Sequence, residues 1–207
     1  MRDLARAFPV SVVADLIGIP GSVRDEVAVW ADASCAPLLS AYTTAGIDTT
    51  VNALSNAVLC FAREPEQWDA VRRGGPEGIN DAFNEVLRYD SPVQAFTRVV
   101  TAEVEVGHVR IREGERIVVL YGSGNRDDRH YSDPDRFDVS RRPGDHLSFG
   151  YGVHACAGQG LARMEAEALL SALAARVKRF RIGTPVRHLN NVVRGLESLP
   201  VEGVEVG

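Results

Sequence analysis

The sequence predicts a mainly α-helical protein with small β-sheets, and three observations carry that prediction. Three stretches read as helices: 37–62 is apolar on nearly every side, and 77–89 and 157–179 repeat apolar residues at helical spacing. Between the second and third, residues 96–121 switch to a two-residue alternation, the period of a strand. Residues 122–160 are then rich in Gly, Asp, Pro and Arg, a connection far longer than an ordinary loop and therefore a candidate functional segment.

Each element has a local cause. Leu4, Phe8, Val12, Val13, Leu16 and Ile17 form an amphipathic stripe that Gly18 and Pro20 close, and Ser22 is placed to cap a short helix carrying Val23, Val27 and Trp30. Pro37 suits a first helical turn, and the helix it opens is apolar on nearly every side, which predicts burial. Its centre, Ala45-Gly46-Ile47-Asp48-Thr49-Thr50, is poor helix chemistry, and such local conflicts concentrate at functional sites. Pro65 opens a further helix that Gly74-Gly75 ends; the next runs over 77–89 with Ile79, Phe83, Val86 and Leu87 on one face. Phe96, Arg98 and Val100 alternate, as do Val104 and Val106, then Ile117 and Val119, with Gly107 and Glu113-Gly114 as turns. The helix over 157–179 points Leu161, Met164, Leu169, Leu173 and Val177 at a core, and short strand-like pieces fill 186–206.

Composition excludes several classes. The 207 residues are 45% hydrophobic and 25% charged, an ordinary globular mixture able to bury one sizeable core. The net charge of −5 argues against a general nucleic-acid binder. Cys35, Cys60 and Cys156 are too few for a disulfide framework, so a reducing cytoplasm is the expected setting. The longest uncharged run, 33–47, stops at Asp48, short of the roughly 18 apolar residues of a membrane span.

The strongest chemical signal is Phe149-Gly150-Tyr151-Gly152-Val153-His154-Ala155-Cys156-Ala157-Gly158. A single cysteine stands where a glycine-rich loop feeds the N-terminus of a long helix. Free N–H groups and the helix dipole there favour a thiolate, and the glycines allow a flat group to approach closely. Such a sulfur can be an axial ligand to haem iron. The residues alone leave other readings open: a buried structural cysteine, a zinc site with His146 and His154, or a Cys–His nucleophile.

This segment resembles the FGxGxHxCxG cysteine-loop signature of the cytochrome P450 family, and further landmarks resemble that family in order. AGIDTT over 45–50 resembles the stretch of the central helix at which oxygen is activated, Glu85 to Arg88 resembles the ExxR helix, and Ser91-Pro92-Val93 through Arg98 resembles the strand beside the haem. Asn125-Arg126-Asp127 and Pro134-Asp135-Arg136-Phe137 resemble the meander, and Leu161 to Glu165 continues the pattern into the final helix.

The resemblance implies a partial P450 fold and a haem-thiolate monooxygenase that inserts one oxygen atom from O₂ into a small apolar organic substrate. The cofactor would be haem b, with electrons reaching it indirectly from NAD(P)H through a ferredoxin-type partner docked near Arg72, Arg73 and Arg163. It makes Cys156 the iron ligand and assigns haem contacts to Arg98, His146, Phe149, Gly150, Gly158 and Ala45. Asp48 and Thr49 become the proton-delivery pair, although Thr49 could equally bond back to the Ala45 carbonyl. Glu85, Arg88 and Arg136 become a buried structural network, with Arg141 a weaker third member, and Ile47, Val93, Gln94 and Phe96 weak substrate contacts.

The family's usual length is about twice this one. The expected organisation is a single shortened haem-thiolate domain, with 1–36 a remnant of a helical region and 37–207 the haem-binding core. Missing roof helices would leave exposed apolar faces that favour oligomers. They would also leave two alternative readings, a peroxidase- or peroxygenase-like protein or a non-catalytic remnant.

Overall fold

A computed structural model describes residues 37–207; the expected elements over 4–30, and Cys35, lie outside the described residues. Helix α1, Pro37–Arg63, runs without interruption through 45–50, so the weak centre does not break it. Helix α2, Pro65–Tyr89, starts on a proline with no N–H to satisfy and bends at Gly75, whose φ of 65° and ψ of −162° are non-helical. The two helices expected over 65–73 and 77–89 are therefore the two halves of one kinked helix.

Four strands follow: β1 (Ala95–Val99), β2 (Val104–Val106), β3 (Val109–Ile111) and β4 (Arg116–Leu120). They pair antiparallel as β1 with β4 and β2 with β3. The long connection carries one helical turn at Tyr121–Gly124 and two 3₁₀ turns, Leu147–Phe149 and Gly152–His154. Helix α3, Gln159–Ala174, ends earlier than its apolar pattern suggests, because Val177–Ile182 leaves it as strand β5. Val177 is buried as expected, but on a strand. Strands β6 (Val186–Arg187), β7 (Leu196–Ser198) and β8 (Val201–Val206) complete the chain, with β5 against β8 and β6 against β7.

The core lies where α1, α2, α3 and β5 meet. Fully buried Trp68 has Phe61 at 4.9 Å and Phe180 at 5.3 Å, and its indole N–H donates to the Val177 carbonyl at 3.0 Å. That bond ties the start of α2 to the first residue of β5. The β1–β4 ribbon is less covered: Val99, Val118 and Leu120 are exposed apolar side chains on its outer face. No helix of the described residues is long and apolar enough to cross a membrane.

Candidate functional site

A cavity of about 630 Å³ lies between α1 and the segment leading into α3, a size typical of small-molecule sites. One wall is Ala45, Gly46, Thr49, Thr50 and Ala53 of α1, and the facing wall runs from Ser148 through Phe149, Gly150 and Cys156 to Ala162. Most of these side chains are small, so the space between the walls is left open for a ligand.

The cysteine loop owes its shape to local chemistry. The Cys156 N–H donates to the Phe149 carbonyl at 2.7 Å, closing the loop, and the exposed side chain of Cys156 forms part of the cavity wall just ahead of α3. Gly150 has φ of 69°, and a Cβ there would sit 2.9 Å from the His154 carbonyl oxygen. Gly150→Ala should therefore cost about 1–3 kcal/mol of stability, read from urea unfolding.

Beneath this loop lies the buried ExxR pair. Arg88 and Glu85, both fully buried, form a two-pronged ion pair at 2.7 and 2.9 Å. The remaining Arg88 donors reach the carbonyls of Asn125, Pro134 and Arg136, while Glu85 also accepts the Asp138 N–H at 2.9 Å. The expected third side chain is corrected. Arg136 is exposed and contributes only its carbonyl, whereas the Arg141 guanidinium reaches Glu85 at 3.4 Å.

Arg98 lies on the cavity wall, and its guanidinium donates to the Thr97 carbonyl and to the Tyr121 hydroxyl, each at 3.0 Å. Among the described residues no carboxylate pairs with it. His146 is a second correction. It is buried as the cap of the 147–149 turn, its Nδ1 accepting the Ser148 N–H at 3.2 Å and its Nε2 facing Asn84 Oδ1 at 3.3 Å. Burial, aided by the Arg163 charge and opposed by Asp145, holds its pKa down to about 4, so it is neutral at neutral pH. The imidazole on the cavity wall is instead His154. Its position two residues before the cysteine was the signal available in the sequence.

Thr49 borders the cavity with its hydroxyl donating to the Ala45 carbonyl at 2.7 Å, while Asp48 is exposed and outside the cavity's described wall. Val93 and Phe96 border the cavity as expected. Ile47 and Gln94 do not: Ile47 packs in the core, and the Gln94 amide turns back to the Ser91 carbonyl at 2.7 Å.

The sequence reading missed Glu165. It borders the cavity from α3, is 3% exposed, and its Oε1 has no hydrogen-bond partner among the described residues. Its interruption of the Leu161–Leu169 apolar stripe was the signal. Burial pushes its carboxyl from 4.5 to about 7. Between those values the folded protein keeps a proton that the unfolded chain has released, so stability falls as pH rises through that window. Glu165→Gln should remove this loss, gaining up to roughly 3 kcal/mol at pH 8 relative to pH 4.5 in parallel denaturant titrations.

Among the described residues no group of three or more His, Cys, Asp or Glu is arranged to hold a metal ion. The zinc reading of His146, His154 and Cys156 thus gains no support from the geometry.

Compared with known proteins, residues 79–195 match the cytochrome P450 family model. The chain belongs to the cytochrome P450 family. Among curated P450s it is 47% identical to cytochrome P450 CYP199A2 of Rhodopseudomonas palustris, over 81% of this chain and 41% of that protein. It is 35% identical to linalool 8-monooxygenase of Pseudomonas putida, over 91% of this chain and 44% of that one. The chain thus spans less than half the length of these P450s. Among solved structures, P450BioI in complex with an acyl carrier protein superposes with a TM-score of 0.85 at 31% identity, covering 94% of this chain and 66% of that one. The partial P450 fold read from the sequence is the fold observed.

Proposed function

We propose that this chain is the haem-holding part of a haem-thiolate monooxygenase acting on a small apolar organic substrate. The carrying observation is the exposed Cys156 on a cavity wall that faces the small residues of α1 and also holds Arg98 and His154. A flat apolar macrocycle bearing carboxylates asks for that set: open space between small side chains, a sulfur for the metal, and N–H donors, one of them a guanidinium, for the acids. Iron protoporphyrin IX fits the residues present. When bound, it supplies the redox-active iron at which oxygen chemistry takes place.

The chain's own residues do the rest. The loop presents the Cys156 sulfur to the cavity just ahead of α3, and Gly150 and Gly158 let the macrocycle approach it. Phe149 packs beside the sulfur and limits water access. Arg98, steadied by Tyr121, offers a guanidinium fork to a carboxylate, with His154 as its companion. Ala45 is part of the opposite face. Thr49 holds a hydroxyl at the cavity that can turn from the Ala45 carbonyl and pass a proton inward, and exposed Asp48, one residue away, takes that proton from solvent and relays it. Val93 and Phe96 present apolar surface to a substrate. The Glu85–Arg88–Arg141 network is structural, fixing the meander under the loop.

Electrons would arrive from NAD(P)H through a ferredoxin-type partner in a reducing cytoplasm. The exposed ribbon face of Val99, Val118 and Leu120 would be the route to oligomers.

The test is direct. Haem should bind at one per chain, and the reduced protein with carbon monoxide should give the red-shifted band of a thiolate complex. NAD(P)H with a ferredoxin and its reductase should then drive hydroxylation of an apolar probe such as a short alkylbenzene. Failure to bind haem overturns the reading. The band with peroxide-driven turnover only would reduce it to a peroxygenase.

A further inference from the structure

Both ends of one short segment are tied to a single carboxylate. Asp90, just past α2, is buried, and its two oxygens are taken by different guanidinium groups. Arg187, at the end of β6, donates to Oδ2, and Arg194, just ahead of β7, donates to Oδ1. Residues 188–193 lie between these anchors, and the His188 N–H donates to the Gly195 carbonyl at 3.2 Å, closing the segment on itself. Fully buried Asn56 of α1 completes the clamp. Its Oδ1 accepts from Arg187 at 2.8 Å, and its Nδ2 donates to the carbonyls of Asp90 at 3.0 Å and Arg194 at 3.3 Å. One turn earlier, Asn52 meets Gly195 so closely that a Cβ there would stand 1.9 Å from the Asn52 Oδ1.

The clamped segment is the neighbour of the cavity wall. The Gln94 N–H donates to the Val192 carbonyl and the Arg194 N–H to the Pro92 carbonyl, each at 2.7 Å. Val93 and Val193 pair antiparallel between those bonds. Pro92 and Val93 both border the cavity, whereas none of Asn56, Asp90, Arg187 and Arg194 is among the described residues that do. The clamp can therefore reach the cavity only through this ladder. Successive side chains of an extended segment point to opposite faces, so the register of the ladder decides which way Val93 is turned. Two backbone bonds hold a register weakly. Two charge-assisted pairs on one buried carboxylate hold it firmly.

We propose that Asp90, Arg187 and Arg194 are positioning residues for the molecule that occupies the cavity. They keep residues 188–195 in register with 92–94 and so fix the Val93 side chain, which limits how wide an apolar molecule can lie against it. This rests on the reading of Val93 as a substrate contact.

Two measurements test it. The Arg194 side chain is half-exposed, so Arg194→Gln loosens the clamp without stranding a fully buried group. In the haem-free protein, hydrogen exchange of the Gln94 amide should be severalfold faster in Arg194→Gln and return towards the original rate in Arg194→Lys. Asp90→Asn, which releases both anchors, should speed it further; should that variant not fold, Arg194→Gln alone decides. In the haem-loaded protein, affinities for ethylbenzene and the wider tert-butylbenzene are read from the shift of the haem absorption band. The preference for ethylbenzene should fall severalfold in Arg194→Gln and recover in Arg194→Lys, with the haem content unaltered. In Val93→Ala the preference should already be low, and adding Arg194→Gln should not lower it again. Unchanged exchange in Arg194→Gln overturns the proposal. Faster exchange with an unchanged preference also overturns it, since the clamp would then be structural only. So does a preference that falls equally with and without the Val93 side chain. If neither probe binds the unsubstituted protein, the reading of Val93 fails and takes the proposal with it, while the exchange rates still show whether the clamp holds, so the two failures are distinguishable.

Discussion

Arg88→Leu is expected to lower stability by about 3–5 kcal/mol, enough to leave a marginally stable domain largely unfolded at 37 °C. The cost comes from what remains. Glu85 would keep a fully buried carboxylate with only the Asp138 N–H and the more distant Arg141 facing it. The carbonyls of Asn125 and Pro134 would lose their Arg88 donor as well, and that of Arg136 would keep only the longer bond from Arg141. Glu85→Gln should cost less than Arg88→Leu, because a neutral amide can still accept from Asp138 and from Arg88. The double variant Glu85→Gln/Arg88→Leu should cost less than the sum of the two singles, since it strands no charge. Urea melts of the three proteins measure this, and additive losses would contradict a coupled pair. Arg136→Gln, whose side chain is exposed, should change stability by no more than about 0.5 kcal/mol, whereas Arg141→Gln should have a larger effect.

Cys156→Ser is expected to abolish the red-shifted band of the reduced carbon monoxide complex and to weaken haem binding by at least roughly tenfold, the size of effect reached by losing even an outer partner of a metal ligand. A serine hydroxyl is close to isosteric but a far weaker iron ligand than a thiolate, so the loop would keep its shape and lose its ligand atom. Unfolding midpoints of the two haem-free proteins should nearly coincide, because Cys156 is exposed and its N–H bond to Phe149 is made by the backbone. That combination separates a lost ligand from a lost fold. A substituted protein that binds haem and gives the original band would remove Cys156 from the site.

Signals confined to one stretch of chain were legible in the sequence. The Phe149–Gly158 loop, the i, i+3 spacing of Glu85 and Arg88, and the alternation over 96–121 are local patterns, and each is in place. What failed depended on where a side chain turns after the backbone has been placed by distant contacts. Arg136 and Arg141 are both arginines of the same irregular segment, and only the packing of that segment on α2 decides which one reaches Glu85. His146 and His154 are likewise neighbours in one glycine-rich run, yet one is turned under the loop by Asn84 of α2 and the other borders the cavity. Ile47 and Thr49 share a helix, and its rotation sends the first into the core. The end of α3 was misplaced because the apolar spacing continues through Val177, and only the partner strand Val201–Val206 converts that segment to β structure.

Asp90, at the end of α2, is buried and is met by the guanidinium groups of Arg187 and Arg194, which lie 97 and 104 positions further along the chain. Val93, on the cavity wall, bridges to Val193 in the same way. The order of synthesis therefore matters. Until a ribosome has delivered residues 187–194, Asp90 waits for its counter-ions and one edge of the cavity is unfinished. Cofactor capture should accordingly follow synthesis of that segment, and a stop codon placed before position 187 should send the product to proteases despite leaving the cysteine loop intact.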